Sequence, residues 1–140
     1  MKKDTTEMLR ELETCEDFTA FYRENSDSII KKQLSEYLEE LLLAHGIKKK
    51  DAIKNAEIND IYAYQIFSGT RIPERSKLLN LAIGMQLTLD EVQNLLRCSG
   101  YAPLYVKKEF DCIIIYGICK KLKITEINSI LYEFSLDTLG

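Results

Sequence analysis

Residues 47–69, IKKKDAIKNAEINDIYAYQIFSG, constrain the fold of this chain more than any other stretch. Two short helical patterns lie here, and a break at residues 57–59 separates them. Asn59 is well suited to precede a helix, because its side chain can accept a hydrogen bond from the first turn. The glycine that closes the stretch suits the position after a helix, where the backbone turns left-handed. We therefore predict two helices, over 48–56 and 60–68, joined by a tight turn.

The two predicted helices have distinct inward and outward faces. Helical spacing directs a set of apolar residues inward: Ala52, Ile53, Ala56, Ile58, Ala63 and Ile66. The outward face of the second helix carries Asp60, Ile61, Tyr64, Gln65 and Ser68. A basic segment, TRIPERSK, follows at residues 70–77. Two short helices, a tight turn and a basic flank are typical of a helix-turn-helix, which lays its second helix in the major groove of DNA.

Three more helices are predicted around this unit. The one before it covers residues 28–45, with a wide apolar stripe and Gly46 as its C-cap. Residues 78–85 form the next, through a run of leucines and alanine. The third begins at Thr88, since the sequence TLDE can form a capping box in which Thr88 and Glu91 exchange hydrogen bonds.

Both ends of the chain are also predicted to be helical. Residues 4–25 give two weak, acidic helical patterns with an aromatic face. The segment 106–121 is apolar almost all round and is predicted as a buried helix, although its three consecutive isoleucines would also suit a buried strand. Cys112 and Cys119 within it are interpreted as small core residues. A last helix is predicted over about 125–134, with its apolar residues through Phe134 facing inward.

The fold class predicted from these patterns is all-α. We expect residues 1–27 to form an N-terminal helical arm and residues 28–100 to form the helix-turn-helix domain. Residues 101–140 would then be a C-terminal helical extension that mediates dimerisation, because its apolar helix needs a covering surface.

Composition excludes several classes of protein. An apolar content of 46% with 29% charged residues argues against disorder. No run approaches the roughly 20 apolar residues that span a bilayer, and no apolar segment follows the N-terminal lysines, so we expect a cytoplasmic protein. The four cysteines form no C-x-x-C pair, which argues against a zinc site. His45, the single histidine, is interpreted as a helix-end residue, and no catalytic or cofactor motif is present, so no enzyme activity is expected.

Charge is unevenly distributed although the net charge is only -3. Residues 1–27 contain four basic and eight acidic residues. Residues 46–77 contain seven basic and four acidic residues, so positive charge is concentrated on the predicted helix-turn-helix. A solvated, salt-bridged surface would explain such a modest excess equally well.

Residues 48–97 resemble the Cro/repressor (xenobiotic-response-element, XRE) type of helix-turn-helix. The ends of the chain are similar to those of small bacterial or phage regulators with added terminal helices. The matching positions are Lys49, Ile58, Asn59, Ile66, the Gly69, Arg71 and Pro73 of a G-x-R-x-P loop, and the TLDE box. The resemblance implies a five-helix core like that of lambda repressor.

The resemblance also implies roles for individual residues. Base contacts fall on Asp60, Ile61, Tyr64 and Gln65, and phosphate contacts on Lys49, Lys50, Arg71 and Arg75. A glutamine amide can bond adenine N6 and N7 together, and an isoleucine can pack on a thymine methyl group. The Asp60 carboxylate could accept a hydrogen bond from cytosine N4, or it could simply be a favourable charge at a helix N-terminus.

We expect the protein to be a sequence-specific DNA-binding transcriptional regulator, a repressor that occupies double-stranded DNA as a homodimer. Tyr62, Tyr64 and Phe67 make the second helix unusually aromatic, which is more typical of protein interfaces than of base reading. The alternative is therefore a helix-turn-helix that binds a protein partner as an adaptor and does not bind DNA.

Overall fold

The computed structural model of the protein describes residues 4–29 and 33–140, and within these ranges every regular element is helical. The all-α prediction is thereby confirmed. The helices in chain order are α1 (Thr5–Thr14), α2 (Phe18–Asn25), α3 (Leu34–His45), α4 (Lys49–Ala56), α5 (Asp60–Ser68), α6 (Arg75–Gly84), α7 (Leu89–Cys98), α8 (Glu109–Cys119) and α9 (Ile124–Glu133), with a 3-10 turn at Ser26–Ser28. None of these helices is long and apolar enough to cross a lipid bilayer.

The chain divides into two compact units, Met1–Lys31 and Lys32–Gly140. In the first unit, Asp4 and Asp17 accept backbone hydrogen bonds at the starts of α1 and α2. Buried Asn25 donates its side-chain amide to the Phe21 carbonyl at 3.0 Å and to Glu11 Oε2 at 3.3 Å. The bond to Glu11 joins the end of α2 to α1.

The second unit is built on a close crossing of α4 and α6. A Cβ atom added to Gly84 would lie 2.7 Å from both the Ala52 carbonyl oxygen and the Ala56 backbone nitrogen, so only glycine fits there. Fully buried Asn80 donates its amide to the Ala56 carbonyl at 2.8 Å. The amide therefore satisfies a carbonyl at the C-terminus of α4, where no intrahelical partner exists.

The turn between α4 and α5 follows from local chemistry. Glu57 adopts a left-handed conformation, with φ at 54°, and ends α4. The Asn59 side chain accepts the backbone N–H of Tyr62 at 3.0 Å and starts α5. Gly69, also left-handed with φ at 83°, ends α5. The predicted turn, cap and closing glycine are all confirmed.

The start of α7 is joined to the end of α3. The capping box at Thr88 is confirmed: Glu91 Oε1 accepts the Thr88 backbone N–H at 2.8 Å, and Thr88 Oγ1 accepts the Glu91 N–H at 3.2 Å. His45 Nε2 lies 2.8 Å from the same Glu91 oxygen. Partial burial raises the pKa of the Glu91 carboxyl, but the Thr88 N–H and the neighbouring His45 outweigh burial and hold that pKa below its ordinary value.

Two side-chain amides bind the backbone of the segments that follow α7 and α9. Gln93 donates to the Leu104 carbonyl at 2.9 Å and accepts the Leu104 N–H at 2.7 Å. Asn128 makes the same pair of bonds with Leu139, both at 2.7 Å. Leu104 and Leu139 are buried, so each amide holds a leucine side chain in the core.

Several helix predictions need correction. The helix predicted from residue 28 begins at Leu34, and Ile30, assigned to its apolar stripe, lies outside the described residues. Gln33 precedes Leu34 in an extended conformation, with φ at -74° and ψ at 151°, and Glu36 lies in the first turn, where an acidic side chain favours the helix dipole. Phe134, predicted to face inward, is 56% exposed because α9 ends at Glu133.

The described chain buries α8 on one side only, so the core supplies part of the cover that its apolar sequence predicted, and cover by a partner stays a prediction. Cys112 and Cys119, interpreted as core residues, are both exposed. Neighbouring helices cover only the side that carries Ile114, Gly117 and Ile118. An apolar sequence indicates that burial of a helix is favourable, but it does not show that the chain itself buries each side of that helix.

We expect Gly84→Ala to lower the free energy of unfolding by at least about 2 kcal/mol, because the added methyl group meets α4 backbone that cannot move aside. Urea unfolding followed by circular dichroism measures this. Gly117→Ala is the comparison and should cost less, since its Cβ would meet the side chain of buried Ile127, which can shift more readily than backbone. An equal loss in both variants would contradict the α4–α6 constraint.

Glu91→Gln should cost about 1 kcal/mol of unfolding free energy at pH 7, because it removes the charge that the capping box and His45 stabilise. A carboxyl whose pKa is lowered by folding stabilises the protein above its unfolded pKa, about 4.3 for glutamate. That contribution is lost as the pH falls through the lower folded pKa. Between pH 7 and pH 3 the free energies of unfolding of the wild type and of Glu91→Gln should therefore converge. A constant difference between them would contradict the lowered pKa of Glu91.

Candidate nucleic-acid interface

The outward face of α5 is open to solvent. Ile61 is 70% exposed and Tyr64 is 48% exposed, while Asp60 is exposed at the first position of the helix and Gln65 is half-buried. Ala63, Ile66 and Phe67 are buried on the opposite side. The four residues predicted as base contacts therefore lie on one accessible face.

Gln65 and Arg71 form a fixed pair beside this face. Arg71 Nε donates to Gln65 Oε1 at 2.7 Å, and the Arg71 guanidinium lies 4.9 Å from the centre of the Tyr62 ring. The Tyr62 hydroxyl in turn accepts the Glu74 N–H at 3.0 Å. The loop after α5 is thus tied back to the helix, and the side-chain amide N–H groups of Gln65 are not used in this contact.

A recess of about 260 Å³ lies at the base of this pair. Its lining residues are Ile58, Asn59, Ile61, Tyr62, Gln65, Arg71 and Lys77. The Lys77 ammonium donates to the Gly140 carbonyl oxygen, so the end of the described chain lies next to the recess. Two cations therefore border the same surface as Gln65.

Lys49 and Lys50 begin α4. The Lys49 ammonium lies 2.6 Å from Glu39 Oε1 and 5.3 Å from the centre of the Phe67 ring, so Lys49 joins α3, α4 and α5. Lys50 is exposed beside it. No side chain caps the N-terminus of α4, and its first backbone N–H groups carry the positive end of the helix dipole.

Arg75, predicted to contact phosphate, is engaged inside the fold. Its guanidinium donates to the Ala102 carbonyl at 3.1 and 3.2 Å and to the buried carboxylate of Asp111 at 3.3 and 3.4 Å. Asp111 also accepts the backbone N–H of Tyr105 at 3.0 Å. The start of α6 is thereby joined to the 101–105 segment and to α8, and a phosphate would have to compete with these contacts.

Sequence reasoning missed three residues that shape this site. Tyr62 supports Arg71, Glu39 pairs with Lys49, and Asp111 holds Arg75. The aromatic content of α5 was a signal for Tyr62. Glu39 lies ten positions from Lys49, and Asp111 lies 36 positions from Arg75, so no local pattern could have indicated these two pairs.

Within residues 4–29 and 33–140, no three His, Cys, Asp or Glu side chains are grouped so that they could hold a metal ion. No protein-family model, curated protein or solved structure matches the chain.

The two arginines near α5 should respond differently to substitution. Arg75→Ala leaves the Asp111 carboxylate buried without its cation, and we expect a loss of about 3 kcal/mol in the free energy of unfolding. Arg71→Ala removes an exposed side chain and should cost less than about 1 kcal/mol. Urea unfolding of both variants tests this, and similar losses would contradict the division between a structural and a surface arginine.

Proposed function

We propose that the protein is a sequence-specific DNA-binding transcriptional regulator, a cytoplasmic repressor with a helix-turn-helix made of α4 and α5. In this proposal α3–α7 form a five-helix core of the lambda-repressor type, and α5 enters the major groove. The observation that carries the proposal is the Gln65–Arg71 pair, held at 2.7 Å beside an exposed helix face.

Base reading in this proposal depends on Gln65. Its amide nitrogen can donate to adenine N7, while its oxygen, which has two lone pairs, can keep the Arg71 bond and accept from adenine N6. Ile61, 70% exposed one turn earlier, suits a thymine methyl group. The Arg71 guanidinium, already oriented by Tyr62, has further N–H groups for a phosphate or a guanine.

Phosphate binding would fall to the N-terminus of α4. Uncapped backbone N–H groups and the exposed Lys50 offer positive charge at one place, which is a common arrangement for anions. Lys49 adds charge there but shares it with Glu39, and Arg75 is committed to Asp111. The proposal therefore assigns phosphate contacts to Lys50, Lys49 and Arg71.

Asp60 and the oligomeric state complete the proposal. The carboxylate at the first position of α5 favours the helix dipole and can accept from cytosine N4, so it would restrict the sequences that bind. A homodimer would place two α5 helices about 34 Å apart, in successive major grooves. Tyr132 and Phe134, 81% and 56% exposed in the 101–140 extension, are suitable for the dimer contact.

The second candidate function is that of a protein-interaction adaptor. It is favoured by a group of exposed apolar side chains at the same surface: Ile61, Tyr64 and Ile72, the last of which is 85% exposed. Aromatic and aliphatic side chains are typical of the centre of a protein interface. The acidic Asp60 would also suit a protein partner better than a phosphate backbone.

Fluorescence anisotropy with the DNA upstream of its own gene, against a shuffled duplex, tests the primary function. Gln65→Ala should cost about 1–3 kcal/mol for the specific duplex and little for the shuffled one. Lys50→Ala should weaken both equally and reduce the salt slope by about one. Lys107→Ala, at an exposed lysine outside the proposed contact residues, is the matched control and should change neither.

If the wild type shows no preference between the duplexes, and Gln65→Ala changes nothing, DNA reading is the wrong function. A pull-down in which Tyr64→Ala loses a protein partner, with no DNA retained by the wild type, would then establish the adaptor.

A further inference from the structure

The solvent-facing side of α8 carries a regular stripe of exposed side chains. Glu109, Cys112, Tyr116 and Cys119 are all exposed, and we call these four residues the α8 seam. Tyr116, at the centre, is 52% exposed.

The spacing of the α8 seam is that of a helix–helix contact. Its members are three, four and three residues apart, as are the a and d positions of a heptad repeat. Half-buried Ile113 and Ile115 lie on either side of Tyr116, at the flanking e and g positions. Between Cys112 and Cys119 the surface therefore offers about two turns of apolar stripe, which suits a single partner helix lying along α8.

α8 is held firmly from behind, so the α8 seam is preformed. On its inner side Ile114 is fully buried, and Gly117 allows the Ile127 side chain of α9 to approach closely. Asp111 joins the first turn of α8 to Arg75 and to the backbone of Tyr105. A partner helix would not have to order this element, which lowers the entropic cost of binding.

The charges at the ends of the α8 seam select the partner. Five lysines are exposed there, two before the helix and three after it: Lys107, Lys108, Lys120, Lys121 and Lys123. Of the two acidic residues in α8, Asp111 is buried and paired, which leaves Glu109 alone at the surface. In a second copy of this chain, either parallel or antiparallel pairing along the seam would bring lysines against lysines. Nucleic acid is also poorly matched, because the centre of the stripe is apolar and uncharged.

We propose that the α8 seam binds an acidic amphipathic helix of another protein, one with an apolar 3-4 stripe flanked by glutamate or aspartate. The apolar stripe would cover Tyr116 and the two thiols, and the acidic flanks would meet Lys108 and Lys120. This interaction is separate from the α5 surface and stands whether or not α5 binds DNA.

A designed helical peptide of about 20 residues, with leucine at the core positions and glutamate at the flanks, is the probe, since shorter helices are marginal in water. We expect it to bind the full chain in fluorescence anisotropy, more weakly as salt is raised. The same peptide with lysine in place of glutamate should bind at least about ten-fold more weakly.

Three variants locate the binding site. Tyr116→Glu should weaken binding of the glutamate peptide at least about ten-fold, because it introduces charge at the centre of the stripe. Reversing Lys108 and Lys120 together to glutamate should shift the preference toward the lysine peptide. Leu43→Glu, at an 84% exposed leucine on α3, is the matched control and should leave binding unchanged.

The cysteines give an independent readout. Bound glutamate peptide should slow iodoacetamide alkylation of Cys112 and Cys119, while Cys15, exposed in the other unit, keeps its rate. The proposal is overturned if both peptides bind alike, if Tyr116→Glu has no effect, or if all three thiols respond together. It is also overturned if sedimentation shows a dimer that Tyr116→Glu dissociates, since the occupant would then be a second copy.

Discussion

The close crossing of α4 and α6 is the constraint on which the second unit depends. At Gly84 the two backbones approach until no side chain fits between them, and Asn80 satisfies the carbonyl that α4 leaves open at Ala56. Because α4 is fixed in this way, the turn at Glu57 and the start of α5 at Asn59 are fixed with it. The orientation of the exposed α5 face therefore depends on a buried glycine at the end of the next helix.

The basic residues near α5 are divided between the fold and the surface. Arg75 and Lys77 bind other parts of the chain, and Lys49 shares its charge with Glu39. Arg71 is the cation that lies on the α5 face itself, and even its position is set by Gln65 and Tyr62. The modest excess of positive charge in residues 46–77 thus leaves a still smaller excess that is available for binding. The orientation of the remaining basic side chains matters more here than their number.

Local patterns in the sequence predicted what local forces determine. The turn, the Asn59 cap, Gly69 and the Thr88 capping box depend on residues within a few positions of one another, and all four are confirmed. The sequence failed where the outcome depends on distant partners. It could not show that Arg75 meets Asp111, or that α8 is covered on one side only, because these facts follow from how helices assemble. Cys112 and Cys119 were misassigned for the same reason: a thiol tolerates both core and surface, and its own chemistry does not decide between them.

The amides of Gln93 and Asn128 have a consequence for how this chain encodes its two extended segments. Each amide binds the N–H and the carbonyl of a single residue, as a neighbouring β-strand would, and these main-chain groups are present whatever the side chain. The course of each segment is therefore set largely by side chains elsewhere in the fold. Besides the buried leucine that each amide holds in place, Tyr101 and Leu136 pack on the core, so it is the exposed positions of these segments that can change without redirecting the backbone.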